Sequence, residues 1–452
     1  MAAPPTPFSL LLVVFVVVVA AAAAVAAGSQ LPEERKILSL RKLPWEEEKK
    51  TPIKPCPPQQ SMQEGRTGRR YWRCAATTTV EGEPQLGGKD PPAAALRRVA
   101  VRSFQSAAAP PPEVLLPVIS GEKLHTLNYV VSIELGSQKT TLIVDTGSDL
   151  TWVQCRPCNF CYNQRDPLFD PSSSATYRPV PCSGAACGAL QLAAGNQRSC
   201  TAGQGACRYA VTYGDGSYTR GELAKERISL GAPPPRWRAS ELSLVRQSVP
   251  QFHGLFSYCL PAGDFDSAGS LVLGGDPTAA YRNSSPVAFT PLLSDPHQSP
   301  FYLVNFTGAA VGGVRLQFNA VKVLVDSGTV ITRLVPSIYA AVREEFLRQF
   351  SGYPAAPPFS ILDTCFDLSG HDEVAVPKMK LEFEGGAAAA VDVSGIFYFA
   401  KRDASQVCLA LASLSHEDQL GIIGNYQQKN LRVVYDTEGS RLGFAEEVCA
   451  YG

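Results

Sequence analysis

Alternating apolar and polar residues predict β-strands over most of the chain that follows residue 128. Val131, Ile133 and Leu135 alternate with polar residues, which is the two-residue period of a strand with one buried face. A second strand is predicted over residues 140–144, after a short turn. Short apolar runs separated by Gly, Pro, Asn and Asp follow it. The pattern therefore predicts a mostly β protein.

The clearest helical pattern begins at Pro336, a residue type favoured in the first turn of a helix. Ile338, Val342, Phe346 and Phe350 follow at four-residue intervals, so they share one face of the predicted helix. Helices are otherwise expected to be few and small.

The first part of the chain differs in character from the rest. Residues 8–27 form an apolar run that ends in small residues, and we interpret residues 1–27 as a cleaved signal peptide. The alternative is an uncleaved membrane anchor, since twenty apolar residues suffice to span a bilayer. Residues 28–124 mix charged, Gly, Pro and Ala tracts. They are interpreted as a leader, either a removable propeptide or a disordered linker.

Length and charge narrow the classes of function. A chain of 452 residues, 45% hydrophobic and 18% charged, is long enough for two folded units. We expect a first lobe at 125–290 and a second lobe at 291–452. Basic and acidic residues both number 41, so no net positive field favours nucleic acid. A monomer is expected, without stable membrane association once the signal is cleaved.

Cysteines support the secretory interpretation. The chain has 13, of which Cys56 and Cys74 lie in the leader. Cysteines in such numbers pair as disulfides in secreted proteins. The other eleven are an odd number, so at least one is expected to lack an intramolecular partner. Asn283 and Asn305 begin glycosylation sequons. The disulfide candidates are Cys155, Cys158, Cys161, Cys182, Cys187, Cys200, Cys207, Cys259, Cys365, Cys408 and Cys449.

Two similar segments carry the strongest chemical signal. One is Asp145-Thr146-Gly147-Ser148 and the other is Asp326-Ser327-Gly328-Thr329, each preceded by an apolar strand. The glycine lets the backbone turn tightly beside the carboxylate. Two carboxylates about 3 Å apart cannot both ionise, so such a pair shares one proton and supplies both a base and an acid. The pair is expected to activate a water that attacks a peptide carbonyl at acidic pH.

In these motifs the chain resembles the pepsin-like aspartic proteases, and within them the Cys-rich nepenthesin-like branch from plants. The resemblance runs from about residue 128 to Cys449 and implies a bilobal pepsin-like acid protease fold, with two pseudo-symmetric β lobes and a central active-site cleft. It assigns Asp145 and Asp326 as catalytic residues of an enzyme that cleaves polypeptides without a metal or cofactor. Tyr213 belongs to a hairpin, the flap, that closes over the peptide. Substrate contacts are expected at Tyr213, Gly147, Gly214, Asp215, Gly328 and Thr329, and structural support at Thr146, Ser148, Trp152, Ser327, Ile422, Ile423 and Gly424.

A cysteine-rich insert is expected over residues 155–207. Its spacing also suits a zinc or iron–sulfur site, but the interval contains no His. The resemblance implies a disulfide-knotted insert here. It also makes Cys365 and Cys408 a plausible pair within the second lobe, whereas connectivity does not follow from the sequence.

The chain departs from the family between Gly221 and Tyr258, where a Gly-Cys-Gly strand and a Gly-Leu-Leu-Gly-Leu-Gly-like tract are missing. That tract packs behind the first Asp loop, so apolar surface and strand hydrogen-bonding groups near Asp145 are expected to lack partners. Either another segment replaces the support, or the chain is a shortened splice form or faulty gene model. The first lobe is therefore expected to be shortened.

Two other functional classes remain open at this point. A non-catalytic, inhibitor-like binding protein on the same fold is favoured by the missing tract and disfavoured by the intact Asp145, Asp326 and Tyr213. A Ser- or Cys-nucleophile hydrolase is less well supported, because none of the five histidines lies in a recognisable nucleophile motif.

Overall fold

The computed structural model describes residues 34–40, 73–78, 113–158, 161–190, 196–200, 205–230, 242–263, 267–276, 281, 284–294 and 301–450. For 73–78 and 196–199 it describes the backbone alone. The signal peptide predicted at 1–27 lies outside these residues. Among them, no helix is long and apolar enough to span a membrane.

Strands dominate the described residues, as the alternating pattern predicted. Up to residue 291 they are β1 (Arg35–Ser39), β2 (Arg73–Thr78), β3 (Glu113–Ser120), β4 (Tyr129–Leu135), β5 (Gln138–Ile143), β6 (Trp152–Val153), β7 (Arg178–Pro179), β8 (Asn196–Ser199), β9 (Arg208–Thr212), β10 (Tyr218–Glu226), β11 (Ile228–Ser229), β12 (Leu255–Cys259), β13 (Gly269–Gly274) and β14 (Ala288–Pro291). They continue with β15 (Leu303–Val311), β16 (Val314–Val325), β17 (Thr332–Leu334), β18 (Ala355–Ala356), β19 (Cys365–Phe366), β20 (Glu373–Pro377), β21 (Met379–Phe383), β22 (Ala388–Val391), β23 (Phe397–Phe399), β24 (Val407–Leu409), β25 (Leu411–Ser413), β26 (Gly421–Ile423), β27 (Leu431–Asp436) and β28 (Arg441–Glu446).

Among the described residues, the α-helices are α1 (Ala185–Ala189), α2 (Leu244–Phe252) and α3 (Pro336–Gln349), of which α3 is the longest. Short 3-10 helices occur at Glu122–Leu124, Pro171–Ser173, Glu384–Gly386, Val393–Gly395 and Asn425–Gln428. The helix predicted from Pro336 is confirmed as α3. All four residues of its predicted apolar face, including Phe350 at the C-terminal end, are buried in the main core.

A nine-stranded sheet joins the two predicted lobes. Its strand order is β11-β4-β3-β13-β12-β27-β28-β14, with β5 paired to β4. β12 of the first lobe pairs antiparallel with β27 of the second. The disulfide between Cys259 and Cys449 links the same two regions. This sheet therefore connects the two predicted lobes.

Each lobe adds a sheet of its own. The second lobe has seven strands in the order β22-β21-β15-β16-β26-β17-β25. The first has β6-β2-β10-β9-β8, with β7 paired to β10. In that sheet β2 pairs in parallel with β10 and antiparallel with β6. A segment from the predicted leader therefore lies beside the first lobe's shortened region.

The predicted leader also supplies two other strands. β3 lies inside the nine-stranded sheet, so the boundary predicted at residue 124 falls after a strand of the main fold. β1 pairs antiparallel with β20 of the second lobe. There Leu38 is buried in the main core, and the Arg35 guanidinium donates a hydrogen bond to the Gln349 carbonyl at 2.9 Å. The region is thus less uniform than its composition indicated.

Cysteine pairing differs from one expectation. All eleven cysteines between Cys155 and Cys449 are disulfide-bonded, so the prediction of an unpaired one is wrong. Ten form five bridges, and Cys155 is bonded outside that set. The odd count misled because it treated residues 155–449 as a closed set. The five bridges are Cys158–Cys161, Cys182–Cys200, Cys187–Cys207, Cys259–Cys449 and Cys365–Cys408.

Candidate active site

The two predicted Asp loops meet through reciprocal hydrogen bonds. The Thr146 amide donates to the Ser327 hydroxyl at 3.2 Å, and the Ser327 amide donates to the Thr146 hydroxyl at 3.0 Å. Each hydroxyl then donates across to the opposite strand end, Thr146 to the Val325 carbonyl at 3.0 Å and Ser327 to the Val144 carbonyl at 2.7 Å. Both side chains are buried. The motif hydroxyl residues therefore lock the loops together rather than facing substrate.

The motif glycines allow the two carboxylates to approach. A Cβ atom placed on Gly147 would lie 2.6 Å from Asp326 Oδ2. One placed on Gly328 would collide with the carboxylate of Asp145. Each glycine thus leaves room for the carboxylate of the opposite loop, and any side chain at these positions would push the pair apart.

Each carboxylate receives hydrogen bonds from its own loop. Asp145 accepts from the Ser148 hydroxyl and from the Gly147 amide, the latter at 2.9 Å. Asp326 accepts from the Thr329 hydroxyl at 2.6 Å and from the Gly328 amide at 2.8 Å. These donors fix the orientation of both carboxylates.

Asp326 and Asp145 lie close enough for each carboxyl group to act on the other, and such a pair can hold one proton between them. Burial raises the pKa of Asp326 above its ordinary range, and the neighbouring Asp145 charge raises it further. Asp326 is buried, whereas Asp145 is partly exposed. The arrangement favours a protonated Asp326.

The predicted flap is a hairpin formed by β9 and β10, and its turn closes with a hydrogen bond from the Tyr213 amide to the Ser217 carbonyl. Trp152 Nε1 donates to the Tyr213 hydroxyl at 2.7 Å. Burial raises the pKa of Tyr213, and Asp145 contributes to the rise. Tyr213 and Trp152 therefore lie close to the first Asp loop. Gly214 is open, since a Cβ added there would have no atom within 4 Å, and Asp215 accepts from the Ser217 amide at 2.8 Å.

The second Asp loop has strong support behind it. β16 pairs in parallel with β26, placing Leu324 opposite Ile422, and the Asp326 amide donates to the Ile423 carbonyl at 3.0 Å. The Gly424 amide donates to the Thr332 hydroxyl at 2.8 Å. The apolar-apolar-Gly segment predicted as support is thus in direct contact with the strand that ends at Asp326.

The first Asp loop lacks an equivalent neighbour among the described residues. Among the described strands, β5 pairs only with β4, whereas β16 pairs with both β15 and β26. Ile143, two residues before Asp145, is 48% exposed, and Leu324, two residues before Asp326, is 5% exposed. Within the described part of the chain, the apolar Ile143 beside Asp145 is therefore uncovered, as the missing tract predicts.

Three residues that hydrogen-bond, directly or through one another, to the strand end and loop at Asp326 were not predicted from the sequence. The Tyr435 hydroxyl donates to the Val325 carbonyl at 3.1 Å. Gln428 Nε2 donates to the Asp326 carbonyl at 3.2 Å, and the Tyr258 hydroxyl donates to Gln428 at 2.5 Å. Tyr258 and Tyr435 stand in apolar runs that predict buried strands. No pattern in the sequence shows where their hydroxyl groups bond.

Where the structure describes them, the predicted disulfide and glycosylation residues are not among the residues that contact the two aspartates. The sulfurs of Cys187, Cys200 and Cys207 lie within 4.8 Å of one another, but all three are disulfide-bonded. Asn305 stands on β15, and its amide donates to Glu384 at 2.8 Å. Asn283 lies outside the described residues.

Two loops that hold a pair of aspartates side by side, next to a hairpin with a half-buried tyrosine, define the class of aspartic proteases. Residues 129–236 match the family model described as "Xylanase inhibitor N-terminal", and residues 301–446 match "Xylanase inhibitor C-terminal". An aspartyl protease family protein of Arabidopsis thaliana is 42% identical over 366 residues, covering 74% of this chain and 75% of the relative. Nepenthesin-1, an aspartic proteinase of Nepenthes gracilis, is 30% identical over 374 residues, covering 75% and 81%. The chain belongs to the plant family of pepsin-like aspartic proteases.

Solved structures agree on the fold. The basic 7S globulin of soybean has a TM-score of 0.53 at 17% identity, covering 75% of this chain and 99% of the globulin. Conglutin gamma of lupine seeds, also a basic 7S globulin, has a TM-score of 0.50 at 16% identity, covering 74% and 95%. Their likeness places the chain in the pepsin-like fold.

Proposed function

We propose that the protein is a secreted endopeptidase that hydrolyses peptide bonds at acidic pH, through a water activated by Asp145 and Asp326. The observation that carries the proposal is the pair of neighbouring carboxylates, each packed against the glycine of the opposite loop and held by the reciprocal bonds of Thr146 and Ser327. A pair that shares one proton offers a general base and a general acid at the same point.

The protonation state assigns the roles of general acid and general base within the pair. Because burial and the neighbouring carboxylate favour protonated Asp326, Asp326 serves as the acid. Asp145 takes a proton from the attacking water, while Asp326 hydrogen-bonds the carbonyl oxygen and stabilises its developing charge. Apparent titrations belong to the pair as a whole. Activity is expected to fall as the shared proton is lost with rising pH.

The flap is proposed to bind the substrate backbone and exclude water. Tyr213 is anchored to Trp152, so the hairpin has a defined seat over the first Asp loop. The open backbone at Gly214 leaves space for a peptide to approach. Contacts from Asp215, Gly147, Gly328 and Thr329 are proposed to complete the binding groove.

Secretion is proposed from the leader and the cysteines. The apolar run within residues 1–27 suits a signal peptide, and eleven disulfide-bonded cysteines suit an oxidising compartment. The extracellular space, or a vacuole reached by the secretory pathway, is the proposed destination. Polypeptides are the proposed substrates, and the enzyme is proposed to act as a monomer.

The deciding experiment measures cleavage of an unfolded protein between about pH 3 and pH 5. Wild-type chain is compared with Asp145→Asn and Asp326→Asn, each shown by circular dichroism to be folded. Loss of activity in either variant supports the proposal. A folded wild type without activity would overturn it and favour a binding protein, since among the described strands the first Asp loop has no second neighbour like that of its counterpart.

A further inference from the structure

Arg333 occupies a distinctive position in the second lobe. It stands seven residues after Asp326, the same separation that places Trp152 after Asp145. Its neighbours on β17, Thr332 and Leu334, are both buried, whereas Arg333 is partly exposed. Side chains alternate along a strand, so the arginine lies on the opposite face from these two. The equivalent residue of the first lobe, Trp152, contacts the flap.

The Arg333 side chain lacks partners among the residues that the structure describes. Its Nε atom is buried and has no hydrogen-bond partner. No ion pair joins its guanidinium to a carboxylate of those residues, Asp215 included. A buried, unpaired N–H is unfavourable. Such a group is therefore expected where a ligand supplies the missing acceptor.

The charge of Arg333 interacts with Asp215 of the flap turn. Hydrogen bonds from Ser217 lower the pKa of Asp215 at the flap turn, and the charge of Arg333 lowers it further. The two residues act on each other without forming an ion pair, so Arg333 lies near the flap turn without a salt bridge to a described carboxylate. Under the proposed function, a peptide held between the flap and the second Asp loop is expected to pass close to both groups.

We propose that Arg333 is a specificity-determining residue that binds a carboxylate of the peptide substrate beside the scissile bond. This inference rests on the proposed function, because it assigns one part of the same groove. A guanidinium offers paired donors that match a carboxylate, and the interaction strengthens where water is excluded. The carboxylate belongs either to an Asp or Glu side chain or to the C-terminus of a short peptide.

Position-scanned peptides test the proposal. Peptides with acetylated and amidated ends carry a single Glu at successive positions around the cleaved bond, each matched by a Gln peptide. At about pH 5, where Glu is mostly ionised, the wild type is expected to cleave the Glu peptide with about tenfold higher kcat/KM at one position. Free C-terminal peptides form a second arm, and a preference confined to that arm identifies the terminal carboxylate as the ligand.

Variants separate the proposed role from a general loss of structure. Arg333→Gln is expected to bring the Glu-to-Gln ratio close to one, and Arg333→Glu to replace the Glu preference by a Lys preference. Asp215→Asn is expected to raise the ratio by removing a competing carboxylate. The matched control, Arg348→Gln, changes an exposed arginine of α3 and is expected to keep the wild-type ratio. A wild type without any carboxylate preference, or an unchanged ratio in Arg333→Gln, overturns the proposal.

Binding distinguishes failure of this inference from failure of the proposed function. The Glu and Gln peptides are titrated calorimetrically into the Asp326→Asn variant with Arg333 intact, and into Asp326→Asn combined with Arg333→Gln. Tighter binding of the Glu peptide only with Arg333 intact supports the arginine site even if the wild type cleaves nothing. Equal binding of both peptides rejects the site, whatever the cleavage assay shows.

Discussion

Gly147 lies against the carboxylate of Asp326, so close that a Cβ on the glycine would be 2.6 Å from Oδ2. Replacement by Ala therefore displaces one of the two carboxylates. Since a displacement of about 1 Å costs on the order of 100-fold in rate, Gly147→Ala is expected to lower kcat at least that much with the fold intact. Gly188→Ala is the control, because no atom lies within 4 Å of a Cβ there. A kcat near the wild-type value in Gly147→Ala would show that a Cβ at this position does not displace the carboxylate of Asp326.

Stability is expected to fall as pH rises above the ordinary Asp value of 3.8. Burial raises the pKa of Asp326 in the folded state, so the folded chain keeps a proton that the unfolded chain has lost. Ionisation then costs up to about 1.4 kcal/mol per pH unit until the raised pKa is passed. Urea unfolding at several pH values measures this slope. Asp326→Asn is expected to have a shallower slope, and an equally steep one would assign the effect to other groups.

Unequal support of the two Asp loops predicts unequal sensitivity. Leu324→Ala removes a buried side chain and is expected to cost about 2–5 kcal/mol. Ile143→Ala, at the corresponding exposed position, is expected to cost about 1 kcal/mol or less. Urea unfolding monitored by tryptophan fluorescence compares the two variants. Equal losses would show that Ile143 is covered in the folded protein.

β1 is expected to stabilise the second lobe. Leu38→Asp places an unpaired charge in the core and is expected to cost at least about 3 kcal/mol. Ile37→Asp is the matched control, because the Ile37 side chain is 41% exposed. Thermal unfolding of the chain with its leader present measures both. Similar melting temperatures for the two variants would show that residues 34–40 contribute nothing to stability.

Periodicity explains what the sequence predicted well. Val131, Ile133 and Leu135 repeat at the strand period and are buried on one face of β4, and the four-residue spacing from Ile338 marks α3. Local motif chemistry was equally visible in the two Asp loops. These signals lie within a few residues of one another, which is the range over which a pattern reports structure.

Contacts between residues far apart in the chain were not predicted from the sequence. Arg35–Ser39 has a single buried residue, Leu38, so no alternation marks it as a strand, and its partner β20 is far along the chain. Tyr435 donates to Val325, 110 residues away, through a hydroxyl that any buried tyrosine has. The partner of such a group is chosen by the assembled fold, and no local pattern encodes it.

The nine-stranded sheet also determines how late in synthesis the two lobes can be joined. β12 pairs with β27, and Cys259 bonds to a cysteine 190 residues later. When both aspartates have been synthesised, the strand that carries Tyr435 has still to be translated. Long-range β pairing is also slow to form. The strand whose Tyr435 bonds to the end of β16 is therefore added only when translation is almost finished. A chain that ended before β27 would contain both Asp motifs and the flap, but it would lack the strand that joins the two lobes and the Tyr435 hydroxyl that bonds to Val325.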